Sequence, residues 1–225
     1  MADIKIKDMY SLEHTKAKEW LSELEYAWEV LPKIKDIILE LGRRIDEECP
    51  QEYEKRGDNI WIHKTAFVFD SAYIAGPAII GADTEVRQCA FIRGNALVGD
   101  GCVIGNSTEL KNVIIFDNVQ VPHYNYVGDS VLGYKSHMGA GSITSNVKSD
   151  KTLVVVKNDG DNIETGLKKF GAMLGDFVEV GCNSVLNPGT VIGSHSNIYP
   201  VSCVRGVVPA DSIFKTGGVI VAKDN

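Results

Sequence analysis

No two cysteines in this chain form a CxxC pair, and their number, five, is odd. That argues against a disulfide framework and a zinc knuckle. It points instead to reduced thiols at Cys49, Cys89, Cys102, Cys182 and Cys203, as in a cytoplasmic protein. No apolar run is long enough to cross a bilayer, and charged residues rather than a signal-peptide core follow Met1. Positive charge is also scarce. The formal net charge of -7 argues against broad nucleic-acid binding, while leaving room for a local basic pocket for a phosphorylated ligand.

What is present divides into two regions. The chain is 225 residues long, 44% hydrophobic and 24% charged, the profile of a globular protein with one large domain and an accessory segment. Residues 1–57 read as a helical N-terminal segment. Trp20, Leu21, Leu24, Trp28 and Leu31 recur at helical spacing, and Ile34, Ile37, Ile38, Leu41 and Ile45 form the apolar face of a second helix opened by Pro32. Gly42 weakens that helix without removing it. "CPQEYEKRGDN" is a polar connector.

Residues 58–225 follow a different rule. Ile62, Val68, Ile74, Ile80, Val86, Ile92, Val98, Ile104 and Leu110 are six apart, mostly with a small residue two places earlier; the beat returns from Leu174 through Val180, Leu186, Ile192 and Ile198 to Val204. This is a hexapeptide repeat, and it predicts an all-β solenoid, a parallel β-helix. Each hexad is a short strand and a turn, with the aliphatic pointing inward and the small residue filling the corner. Three hexads close a triangular coil, coils stack about 4.8 Å apart, and the repeats amount to about seven coils. Residues 158–171 keep no beat and are expected to leave the coil as a loop. The helices are expected to cap the open first coil, whose strand edges would otherwise be bare.

With the three faces called A, B and C, Ile92 and Leu110 fall on A, Val98 on B and Ile104 on C. Five-residue steps then reach Ile115 and Leu132 on B and Ile143 on A, with Val121 and Met138 on C and Val127 on A. Arg93 therefore stacks beneath Lys111, both pointing outward. Two cations at strand spacing need a counter-charge. It is either a bound phosphate or carboxylate ligand, or a protein carboxylate such as Glu109. His123 lies on face C just before the turn to Tyr126. Ala140 is its equivalent one coil on, and Asn146 lies near the face of Tyr126.

"VPHYNYVGDSVLG" followed by "HMGAGSITSN" resembles the C-terminal acetyltransferase domain of bifunctional N-acetylglucosamine-1-phosphate uridylyltransferase/glucosamine-1-phosphate acetyltransferases. "ETGLKKFGAMLGD" is similar to the archaeal-type sugar-1-phosphate nucleotidyltransferases that carry the same tail. The resemblance covers about Ile60 to Val208. It implies a left-handed coil, a homotrimer with sites between subunits, and acetyl-CoA as cosubstrate without a metal. By residue it implies His123 as general base and Arg93 and Lys111 at the sugar phosphate. Tyr126, Asn146 and the position of His137 meet the acceptor; Ala140 and the positions of Cys182 and Lys215 meet coenzyme A. The chain departs from the pattern at His137 (usually asparagine), Val147 (tyrosine in the bacterial enzymes), Cys182 (serine) and Lys215 (arginine). The Gly-rich nucleotide loop of the bifunctional enzymes has no counterpart, so uridylyl transfer is not expected.

The expected activity is N-acetylation of an amino-sugar 1-phosphate of the glucosamine or galactosamine type. Lys168 and Lys169 could meet coenzyme A phosphates or form a solvated loop, the reading that charge alone favours. Two rivals stand beside this expectation. A zinc carbonic anhydrase on the same fold needs two closely spaced histidines, and His14, His63, His123, His137 and His195 supply no such pair. A trimeric, non-catalytic sugar-nucleotide binding scaffold would explain the altered site residues.

Overall fold

A computed structural model describes residues 2–223; the outer ends of the two expected segments, Met1 and 224–225, lie outside the described residues. From Ile60 the chain winds as a three-faced parallel solenoid. Face A is built from Tyr73–Ile74, Phe91–Ile92, the first halves of Glu109–Ile115 and Tyr126–Leu132, then Ile143–Thr144, Val185–Leu186 and Cys203–Val204. Those seven strands match the expected coil count. Ile74, Ile92, Leu110 and Val127 stack in register, as do Val98, Ile115, Leu132 and Leu174 on face B. Most inward aliphatics are fully buried, including Ile80, Ile92, Ile104, Leu110, Leu174 and Leu186.

Two five-residue steps are present where expected. At Leu110 to Ile115 and Val127 to Leu132 the chain stays extended through the A–B corner, giving the seven-residue strands Glu109–Ile115 and Tyr126–Leu132. The third expected short step is absent. Ile143 pairs with Tyr126, so Thr144 lies over Val127 and beneath Leu186, buried, while Ile143 points outward. Thr144 can face inward because its hydroxyl accepts the Gly128 N–H at 2.9 Å.

The N-terminal segment is not an end cap. It is a series of short turns, α1 (Ile6–Met9), a 3-10 turn Leu12–His14, α2 (Lys18–Leu21) and a 3-10 turn Ala27–Lys33, before α3 (Ile34–Glu48). The first expected helix is broken into these pieces; the second exists, with Pro32 in the turn before it. The segment lies along face B, where the central outward residues Ile79, Leu97, Ile114, Val131 and Met173 are all apolar and at most 1% exposed. Contacts run the length of the solenoid. The Asp176 N–H donates to Met9 O (3.0 Å), the Asp117 N–H to His14 O (3.0 Å), and Lys16 pairs with Asp100 (2.7 Å). Trp28 is buried beside Phe170, which assigns it to packing. Gly42 is required by close approach: a Cβ there would sit 2.2 Å from the Trp61 ring. Trp61 Nε1–H donates to Asp46 Oδ1 at 2.8 Å.

Hairpins cover both solenoid ends. The "polar connector" contains a strand, Tyr53–Lys55, paired antiparallel with Ile60–His63. At the other end Val219–Ala222 folds back on Ser212–Lys215. The excursion is also more ordered than a loop. It leaves the coil after Thr144, returns at Ala172, and contains an antiparallel hairpin, Val155–Asn158 with Asp161–Glu164. Asp159 and Gly160 form its turn, both at positive φ.

Deleting residues 2–56 is expected to yield insoluble protein, because it bares the continuous apolar stripe on face B. Recovery of soluble protein of unchanged oligomeric mass would show that the segment is dispensable.

Candidate functional site

Face A carries a cluster of charge centred on a residue the sequence reading passed over. Lys111 Nζ donates to both carboxylate oxygens of Asp129 (2.9 and 3.0 Å), and Asp129 is 5% exposed. Asn112 Nδ2 donates to Oδ1 of the same carboxylate (2.9 Å) and Asn146 Nδ2 to Oδ2 (2.6 Å). Asp129 sits at an A–B corner with φ +48° and Asn112 one coil below with φ +55°. Asp and Asn tolerate this left-handed conformation better than most residues. The signal was in the sequence, in the Gly128-Asp129 pair of the quoted motif, but its direction depends on the corner.

Arg93 lies one coil below Lys111 as the stacking predicted, and Glu109 Oε1 accepts from it at 2.7 Å. Each member of the expected cation pair is thus answered by a carboxylate: Glu109, as considered, and Asp129, which was not. Tyr126 is in register with Glu109, and its phenol is hydrogen-bonded to the Asn146 side chain. Burial pushes that phenol above its usual range, with the Asp129 and Glu109 charges acting the same way, so it stays protonated at neutral pH. Gly128 leaves room for the ring: a Cβ there would lie 2.4 Å from the Tyr126 hydroxyl. Arg93, Lys111, Tyr126 and Asn146 are therefore brought together.

The other predicted residues follow the C–A corner. His123 ends the strand Gln120–His123, is exposed, and stands directly under Ala140; the Gly141 N–H donates to His123 O at 3.0 Å. Cys182 follows one coil further on, exposed, its partner strand in register through His137 and Glu179. The Asn183 N–H donates to Ala140 O at 2.8 Å. Among the described residues the Ala140 N–H has no acceptor. Lys215 ends the last parallel strand on face C, beside Tyr199 and beyond Cys182. A shallow groove of about 470 Å³ runs along this edge, lined by Gly139, Gly181, Cys182, Tyr199 and Pro200. His137 lines the same groove from face C rather than joining the Asp129 cluster, its ring paired with Glu179 at 2.8 Å.

A second cavity, of about 410 Å³, opens between face A and the excursion hairpin. Val147, Lys148, Lys157, Asn187 and Arg205 line it. Val147 takes the place of the expected tyrosine here and is exposed. Lys168 and Lys169 are exposed on the returning limb. Cys102 is of a different kind from Cys182: burial holds its thiol up at about 12. Among the described residues no helix is long and apolar enough to cross a membrane.

The stacked hexads and their parallel, in-register coils define a β-solenoid built on hexapeptide repeats. Residues 74–195, more than half of the chain, match the family described as the GMPPB C-terminal domain, and the chain belongs to that family. It is 28% identical over 220 residues to the bifunctional protein GlmU of Methanococcus maripaludis strain C5, a match covering 97% of this chain and 53% of that protein. To the bifunctional sugar-1-phosphate nucleotidylyltransferase/acetyltransferase of Sulfurisphaera tokodaii it is 34% identical over 166 residues, covering 66% of this chain and 41% of the relative. The chain thus spans about half the length of these curated relatives. A solved hexapeptide transferase family protein from Anaplasma phagocytophilum aligns over 74% of this chain and 80% of its own, at 15% identity and a TM-score of 0.41, too distant to add to the fold described above.

Proposed function

We propose that this protein transfers an acetyl group from acetyl-CoA to the amine of an amino-sugar 1-phosphate of the glucosamine or galactosamine type. One observation carries the reading: His123, a corner with a free backbone N–H at Ala140, and the Arg93–Lys111 pair share neighbouring coils. The amine nitrogen attacks the acetyl carbonyl carbon, the carbon–sulfur bond breaks, and the thiolate of coenzyme A leaves. His123 takes the proton released by the amine and returns one to the departing sulfur. The Ala140 N–H faces the oxygen that gains negative charge. Arg93 retains unused N–H groups beyond its bond to Glu109, and with Lys111 it orients the sugar phosphate. Tyr126 and Asn146 hydrogen-bond the sugar.

The shallow groove beside Gly139, Gly181, Cys182 and Tyr199 suits the narrow pantetheine arm. Its two glycines let successive coils stack closely: a Cβ at Gly139 would lie 2.7 Å from Cys182 N, and one at Gly181 2.4 Å from Pro200 N. Lys215 and the cations of the hairpin cavity suit the phosphates of coenzyme A. The exposed apolar side chains at the C–A corner and on the strands beside it support a homotrimer with this edge between subunits. Phe67 is 59% exposed, Tyr73 61%, Tyr124 66% and Val201 74%, and a second copy of the chain would cover them. The second reading, a sugar-nucleotide binding scaffold without turnover, is favoured by one observation: Glu109 and Asp129 already neutralise the two cations.

Cys182 gives a direct test of the coenzyme A groove. Its exposed thiol is expected to react with a maleimide, and saturating acetyl-CoA is expected to slow that reaction at least tenfold while buried Cys102 stays unmodified. Equal labelling with and without acetyl-CoA would place the cosubstrate elsewhere.

A further inference from the structure

The position two residues before each inward side chain is kept small on face A: Ala90, Thr108, Ser142, Ser184 and Ser202. Asn125 breaks that rule, directly behind His123, and it is buried. The hydroxyls of the column bond nearby carbonyls, as when Ser142 Oγ donates to Gly139 O at 2.7 Å and Thr108 Oγ1 to Val121 O at 2.9 Å. The longer amide of Asn125 bridges two corners. Its Oδ1 accepts the His123 N–H at 3.0 Å, and its Nδ2 donates to Gly139 O at 2.8 Å and Ser142 O at 3.0 Å. Those two carbonyls flank the turn that carries Ala140.

We infer that Asn125 is a positioning residue, a clip that fixes His123 against the Ala140 N–H. The inference rests on the acetyl-transfer reading. A buried amide is tolerated only when its donors and acceptor are used, and here the contacts join the residue holding the proton acceptor to the turn holding the oxyanion donor. A serine or threonine would satisfy the column's packing, but neither reaches both corners.

The test uses the full chain with Asn125→Ser and Asn125→Thr, the residue types of the same column. Both are expected to keep the melting temperature within a few degrees and the KM of both substrates within about twofold, while kcat falls roughly tenfold to a hundredfold, the cost of misplacing reacting groups by about 1 Å. Amide exchange at Gly141, whose N–H bonds His123 O, is expected to quicken in both. Ser196→Ala, a buried hydroxyl removed far from this corner, controls for general loosening and is expected to leave kcat unchanged. Wild-type kcat in the Asn125 variants overturns the inference. So does a fall in kcat that Ser196→Ala matches at equal loss of melting temperature. His123→Ala is measured alongside. If it turns over like wild type, the acetyl-transfer reading fails on its own account; if it is inactive and Asn125→Ser is not impaired, only the clip fails.

Discussion

Replacing His123 with alanine is expected to lower kcat for acetyl transfer by about 10²–10⁴-fold, the usual contribution of a positioned general base. The KM values should change little, because the cation pair, Tyr126 and Asn146 are held by other residues. His123 has an exposed side chain and takes part in the fold through its backbone, to the Asn125 side chain and the Gly141 N–H. The melting temperature should therefore stay near wild type, so lost turnover reports chemistry rather than unfolding. A variant as fast as wild type would remove His123 from the mechanism.

Asp129→Asn is expected to have the largest effect on stability, about 3–5 kcal/mol, the cost of breaking a buried ion pair by removing one partner. Asparagine keeps the left-handed backbone at φ +48°, so the substitution isolates the charge. Lys111 would keep at most one of its two short contacts, to the remaining amide oxygen, and the amides of Asn112 and Asn146 would meet an amide where a carboxylate had accepted from each. Acceptor KM should rise in step, because Lys111 and Asn146 both take their positions from this carboxylate. Adding Lys111→Met should recover part of the stability, since no unpaired cation remains buried, without recovering acceptor affinity. Chemical denaturation with a parallel KM measurement checks both parts. Unchanged stability and KM in Asp129→Asn would show that the cluster organises nothing. Asn112 also donates to Leu31 O at 3.2 Å, so the cluster is where the N-terminal segment touches the site.

The inward core was legible because a period of six places one aliphatic on each face, and Ile92, Leu110, Leu174 and Leu186 sit where the count put them. The same count stacked Arg93 under Lys111. It erred at Ile143, where an aliphatic beside a threonine took the inward place on hydropathy alone; a hydrogen bond from Gly128 settles Thr144 there instead. It passed over Asp129 because corner residues lie between beats, and their direction follows from backbone φ rather than from spacing. Face B shows a different kind of miss. Ile79, Leu97, Ile114 and Met173 point outward from three-residue apolar runs, a visible sign of a covered face. A reading fixed on inward positions placed the helices over the first coil instead. His137 was carried into the acceptor site by its place in the motif, and its own partner in the chain is Glu179.

The central claim is acetyl transfer at the His123 corner. Its most direct measurement is release of free coenzyme A thiol from acetyl-CoA in the presence of glucosamine-1-phosphate or galactosamine-1-phosphate, with mass detection of the N-acetylated sugar phosphate. The account predicts stoichiometric thiol and N-acetyl product with at least one of the two sugars, and neither without an acceptor. Absence of product with both sugars, together with no detectable binding of acetyl-CoA, would contradict it and leave the binding scaffold.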